Sequence, residues 1–240
     1  MNERVFLAGA AGAVGRRLVP LLVAAGHEVF GTTRSAAKAD TLRTLGASPV
    51  IVDVFDADAM TRAVVAAKPS VMIHQLTDLP AGLPPEKMAA AGIANARMRV
   101  EGTRNLVAAA RAAGARQLIA QSIAWAYAPA GHPLVEDDPL DLVNAARRTT
   151  VEAVASLEQQ VRTAPGMVGI VLRYGHFYGP GTGADTAAEP RVHVDAAAHA
   201  ALLAIGLQQA GIFNIAEPSP GLSTAKARDV LGWDSGFRLP

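Results

Sequence analysis

Cysteine is absent from the 240 residues. That removes disulfide frameworks, thiolate nucleophiles and Cys-ligated zinc from consideration. Aromatic residues make up only 5% of the chain and tyrosine occurs three times, so tyrosine-based chemistry can be searched exhaustively. No apolar run reaches the ~20 residues of a membrane span before Gly, Pro or a charge interrupts it. A net charge of +1 lacks the concentrated basic face that nucleic acid or an anionic lipid surface requires. HExxH and the P-loop are missing too, and "QSIAW" lacks the glycines of a G-x-S-x-G elbow. Because "NERVFLAGAAG" after Met1 reads as a strand and turn rather than a leader, a cytoplasmic protein acting on a small molecule is expected.

What is present is an alternation. Short β-branched runs ("RVFLAGA", "HEVFGTTR", "PVIVDVF", "VMIHQLT", "RQLIAQSIA", "VGIVLRYGHF", "GIFNIA") alternate with helical stretches at Val14–Ala25, Ala57–Lys68, Ala94–Ala113, Asn144–Val161 and Ala196–Gln209. A short helix through Leu45 and a closing "STAKARDVLGW" helix complete the set. The prolines of "DLPAGLPPEK" and "AYAPAGHPLVEDDPLD" mark loops. The pattern predicts an α/β fold, a Rossmann-type doubly wound parallel sheet. With no repeat and no linker-like boundary, residues 1–240 read as one domain.

Gly9, Gly12 and Gly15 lie between the first strand and the first helix as G-x-x-G-x-x-G. Gly9 suits a tight turn, Gly12 a close approach to a pyrophosphate, and Gly15 close packing of helix on strand. Ala13 and Val14 would supply helix N-terminal amides to the phosphates. The second strand ends in "GTTRS" without the acid that binds an NAD ribose; Arg34 and Ser35, with Lys38 a turn on, favour the 2′-phosphate of NADP, with NAD as the alternative. Asp53 and Val54, closing the third strand, stand where such folds cradle adenine.

Six ordered stretches resemble the extended short-chain dehydrogenase/reductases, specifically the NAD-dependent epimerase/dehydratase family. They are "AGAAGAVG", "VMIHQLT", "VEGTRNLVAAARAAG" (Arg99 where Asn is usual), "LRYGHFYGPG", "RVHVDAAAHA" and "STAKARDVLGW". The resemblance implies an enzyme that binds a nicotinamide dinucleotide, with Leu76 and His176 lining its site, and a homodimer paired through two helices. It also implies a substrate subdomain, here reduced and spread around residues 180–240: the stretches between "YGPG" and "RVHVD" and between "NIAEPSP" and "LSTAKA" are shorter than usual.

The family's catalytic pair is a Tyr with a Lys four residues on, sharing one helix face. The ammonium lowers the phenol pKa so that the tyrosine can exchange a proton. Here Tyr127 is followed at that spacing by Gly131, Tyr174 by Tyr178 and Tyr178 by Thr182. Aligned on Glu152, Asn144 takes the tyrosine position and Arg148 the lysine position, while Ile123, preceded by Ser122, takes that of the catalytic Ser/Thr. Asn144 cannot exchange a proton at neutral pH. Arg148 keeps a fixed charge and could hold ribose hydroxyls.

The remaining candidates for catalysis are His176, Tyr127, Ser122 and Arg148. His176 suits proton transfer best, because imidazole titrates near neutrality. His74 reads as structural, His193 and Asp195 as fixing backbone at the subdomain hinge, and "EDDP" beside His132 as solvated carboxylates; no metal site is expected. Three readings stay open: a reductase or epimerase/dehydratase with a non-standard proton relay, a dinucleotide-binding sensor without catalysis, and a redox-neutral isomerase or lyase.

Overall fold

A computed structural model describes residues 2–80 and 84–240. Met1 and residues 81–83 of the expected proline loop lie outside the described residues. Seven strands form one parallel sheet: β1 (Arg4–Ala8), β2 (Glu28–Thr33), β3 (Ser48–Ile51), β4 (Val71–His74), β5 (Gln117–Ile123), β6 (Val168–Tyr174) and β9 (Gly211–Ile215). Their order is β3-β2-β1-β4-β5-β6-β9. The order reverses between β1 and β4, and a doubly wound sheet opens its binding crevice at the carboxyl ends of such a pair.

Central strands buried on both faces need apolar side chains throughout, and "VFLA" and "VMI" supply them. Val5, Leu7 and Ile73 face one core with Leu18, Leu22 and the alanines of α7 (Val194–Leu203). Phe6, Ala8 and Met72 face the other, with Met60, Val64, Leu106 and Ala109. Helices α1 (Ala13–Ala24) and α2 (Ala36–Thr44) lie on the first side, α3 (Ala57–Ala67) and α5 (Thr103–Ala112) on the second. A closing helix, α8 (Ala225–Leu231), follows β9.

Three expectations need correction. The helix expected over Ala94–Ala113 starts earlier, as α4 (Met88–Arg97), and passes into α5 through a π-helical turn at Met98–Gly102. Its missing side chain matters at Gly102, where a Cβ would stand 2.9 Å from the Met98 sulfur. The helix expected from Asn144 is α6 (Arg148–Arg162). Asn144 instead folds a turn, its side-chain oxygen accepting from Ala146 N at 3.1 Å and its carbonyl accepting from Arg147 N at 3.1 Å. That local bonding competes with helix. Finally, the run "VGIVLRYGHF" is two strands, because β6 stops at Tyr174. β7 (His176–Tyr178) leaves the main sheet and pairs in parallel with β8 (Arg191–His193).

Candidate functional site

The glycine turn joins β1 to α1 at the crevice. Gly9 has φ +94°, and a Cβ there would lie 2.7 Å from the Gln75 carbonyl carbon and oxygen. A Cβ on Gly15 would stand 2.2 Å from the Gly9 carbonyl oxygen. Backbone is therefore packed on backbone at both positions, which only glycine allows. Gly9 N donates to Thr32 Oγ1 at 3.0 Å, tying the turn to β2.

Helix α1 begins without a side-chain cap and without an acid in its first turn. Its first amides, on Ala13, Val14 and Gly15, thus keep the donors that an anion uses at a helix N-terminus. A dinucleotide diphosphate fits this cradle.

Beyond β2 the exposed Arg34 reaches Asp78 at only 3.5 Å, a loose surface pair. Ser35 N-caps α2 without a side-chain bond, leaving its hydroxyl beside Arg34. Asp53 Oδ1 accepts from Phe55 N at 3.0 Å, and the Val54 carbonyl accepts from Asn105 Nδ2 at 2.9 Å. Leu76 N donates to His74 Nδ1 at 3.2 Å, and His74 Nε2 meets Thr103 Oγ1 at 3.1 Å. His74 is buried; desolvation first, then the charge of Arg99, lower its pKa to about 4.

The other end of the crevice is built by a pair of which the sequence singled out only His176. Trp125, just beyond β5, stacks on His176 with ring centroids 5.2 Å apart and planes 8° from parallel. Arg147 fixes the tryptophan backbone by donating to the Trp125 carbonyl, while its other nitrogen donates to Asp141 Oδ2 at 3.1 Å. His176 N donates to Pro190 O at 2.7 Å. Burial lowers the His176 pKa. The result is a half-exposed aromatic shelf at the carboxyl ends of β5 and β6.

Ser122 and Tyr127 do not join that shelf. Ser122 Oγ donates to Glu158 Oε1 at 2.7 Å inside the core. Glu158 also receives Arg173 Nε at 2.8 Å and Nη2 at 2.6 Å, and Arg173 lies 4.7 Å from the Tyr127 ring centroid. Tyr127 OH donates to Asn214 Oδ1 at 2.6 Å. Burial raises its phenol pKa, opposite to the shift that proton exchange near neutrality needs. The Tyr174 hydroxyl donates to Ala197 O at 3.1 Å and that of Tyr178 to Glu217. Each of the three phenols is thus committed to an acceptor.

Arg148 is exposed on the first turn of α6, and Asn144 is exposed four residues before it. Glu136, expected among solvated carboxylates, is buried and accepts from Asn214 N at 2.8 Å. His193 Nδ1 caps α7 by accepting from Asp195 N at 3.2 Å. Among the described residues no group of three His, Asp or Glu is placed to hold a metal, and no helix is long and apolar enough to cross a membrane.

Comparison with known proteins bears on this geometry. A 3-diazoavenalumate denitrifying reductase from a Streptomyces species is 41% identical over 242 residues, covering 90% of this chain and 77% of that protein. The Bordetella bronchiseptica enzyme WbmG, solved with NAD, superposes with a TM-score of 0.76 at 19% identity, covering 100% of this chain and 91% of that one. A UDP-glucose 4-epimerase from Thermotoga maritima, solved with UDP-glucose, gives a TM-score of 0.77 at 19% identity, covering 99% and 94%. The likeness of these two structures is one of fold. The profile of the NAD dependent epimerase/dehydratase family matches residues 5–204, the span that holds the glycine turn, the seven-stranded crevice up to β6 and the Trp125–His176 shelf, and to that family the chain belongs.

Proposed function

We propose that this protein is an NAD(P)H-dependent reductase, NADPH preferred, whose substrate accepts hydride without needing a proton from the enzyme. The observation that carries the reading is the commitment of all three tyrosine hydroxyls to acceptors; Asn144 and Arg148, which the family resemblance sets at the Tyr and Lys positions, are exposed. Ketone reduction, epimerisation and dehydration each move a proton at the reacting centre. Loss of the relay weakens all three.

Reductive loss of nitrogen from a diazo compound, the activity in the name of the 41% identical relative, has a different balance. On an arenediazonium cation the C–N bond breaks with N2 leaving, a C–H bond forms from hydride, and no proton enters. A bound reduced nicotinamide would supply that hydride and its two electrons. Gly9, Gly12, Ala13, Val14 and Gly15 would hold its diphosphate, Asp53, Val54 and Leu76 would flank its adenine half, and Arg34 with Ser35 would take a 2′-phosphate. Trp125 and His176 would orient a flat aromatic substrate, and Arg148 would hold ribose hydroxyls. Exposed Ile93 on α4 and Val143 before α6 support self-association as a homodimer.

The test is product labelling. The protein is incubated with an arenediazonium salt and NADPH deuterated at its transferable position, and in parallel with the matching aryl ketone. Deuterium on the former C–N carbon, with little ketone turnover, is expected. Ring deuterium drawn instead from heavy water, or faster ketone reduction, would sink the proposal.

A further inference from the structure

The tyrosine hydroxyls and that of Ser122 are each committed to an acceptor, but a hydroxyl at the start of α6 is not. Thr150 lies in the first turn of that helix and is half-buried, and among the described residues nothing bonds its Oγ1. Its neighbours fix where it faces. Residues three and four apart share a helix face, so Thr150 shares one with Arg147 and Val154. Arg147, three residues before, donates to the Trp125 carbonyl. Val154, four residues after, is buried in one apolar cluster with Ile123, Ala126, Trp125 and Leu140. Farther along the same face, Glu158 accepts from Ser122 Oγ at 2.7 Å.

These contacts run in order. Going back along α6 from Glu158 through Val154 to Arg147 is going forward along β5 from Ser122 through Ile123 to Trp125. Thr150 falls between the last two contacts, beside Trp125 at the carboxyl end of β5. The wall around it is apolar, and the Arg147 guanidinium is already engaged by Trp125 and Asp141. Thr150 therefore adds to that wall an uncommitted group that can both donate and accept.

We propose that Thr150 determines specificity at this site, exchanging a hydrogen bond with a hydroxyl on the ring of a flat aromatic ligand that lies on the Trp125–His176 shelf. A ring stacked on the shelf points its substituents sideways, towards the wall that carries Thr150. A phenolic hydroxyl donates and accepts in that plane, as the threonine requires. A site group placed to bond a substrate hydroxyl discriminates against the analogue that lacks it. The inference rests on the shelf being the ligand surface proposed above, and not on the diazo chemistry.

Binding tests it without turnover. 4-Hydroxybenzamide and 4-fluorobenzamide, uncharged and alike in shape, are titrated in the presence of NADPH against the wild type, Thr150→Val and Thr150→Ser. The wild type should bind the hydroxy compound about five- to tenfold tighter than the fluoro compound. Thr150→Val keeps the shape and loses the hydroxyl, so the two probes should then bind within about twofold of each other. Thr150→Ser should restore most of the preference. Equal binding of the probes by the wild type, a preference that survives in Thr150→Val, or failure of both probes to bind overturns the proposal. If Thr150→Val does not fold, Thr150→Ala carries the same comparison with the same loss expected. Trp125→Leu tests the shelf apart from the hydroxyl. Weaker binding of both probes at an unchanged ratio upholds both readings. Unmoved binding overturns the shelf, while the ratio in Thr150→Val still decides the hydroxyl.

Discussion

Arg147 donates to the main-chain carbonyl of Trp125, and the indole so placed lies parallel to the His176 imidazole. Two segments 22 residues apart in sequence are thereby locked to each other beneath the shelf. The stack presents a flat surface made of an indole and an imidazole.

Trp125→Leu should therefore weaken the substrate more than the chemistry. Aromatic pairs contribute about 0.5–1.5 kcal/mol beyond area burial. The expected result is a rise of roughly two- to tenfold in KM for an arenediazonium substrate, with kcat and NADPH affinity nearly unchanged. A collapse of kcat at constant KM would instead place Trp125 in transition-state stabilisation.

Arg34 is loosely paired and exposed, so its removal should cost the fold little. If it takes the 2′-phosphate, Arg34→Leu raises the NADPH dissociation constant by about tenfold, ~1.4 kcal/mol, and leaves NADH within twofold. Titration of nicotinamide fluorescence reads both. Equal losses for the two cofactors would refute the NADPH preference assigned to it.

The glycines separate fold from binding. A methyl on Gly15 meets backbone at 2.2 and 2.6 Å, so Gly15→Ala should lower Tm sharply, by overpacking of about 1–3 kcal/mol or more. A methyl on Gly12 meets only the Gly9 carbonyl at 3.3 Å. Gly12→Ala should melt near the wild type yet bind NADPH at least about tenfold more weakly, because the methyl occupies the phosphate approach. Calorimetry and a binding titration on both variants decide.

His74 predicts an acid limb. Its folded pKa of about 4 lies below the ordinary 6.5, so on acidification the unfolded chain takes up the proton first. Stability is then full above about pH 6.5 and falls towards pH 4, at up to ~1.4 kcal/mol per unit and roughly 3 kcal/mol in all. His74→Asn should be less stable at neutral pH because its bond to Thr103 is lost, and flatter across that window. Urea midpoints from pH 4 to 7.5 test this; equal slopes would acquit His74. Arg99→Met should shorten the limb from its acid end and reduce the total loss, since without that cation the folded His74 pKa rises towards 6.5.

The framework was legible because it is periodic and local. β-branched runs, helices and one glycine turn are written in adjacent residues, and they recovered the parallel sheet and the crevice. The chemistry end was less legible because it depends on distant partners. Tyr127 looks available in sequence, but its acceptor, Asn214, is 87 residues away. Ser122 is likewise claimed by Glu158, on a helix packed behind β5. Arg147 and Arg148 are neighbours of one type, yet the turn made by Asn144 folds the first inward and leaves the second exposed. Trp125 gave no motif; its role appears only when the break after Tyr174 carries His176 across to meet it.

The π-turn at Met98–Gly102 has an implication for how this chain tolerates length change. A π-turn holds one residue more than a regular helical turn, and each residue of an α-helix advances the face by about 100°. Deleting a single residue there would let α4 and α5 join as one regular helix, which most helices would welcome. It would also rotate α4 relative to α5, and α4 packs on α6. A surplus of one amino acid is thus what sets the phase of α4 against α6, and a shortened variant would be a quieter helix on a different protein.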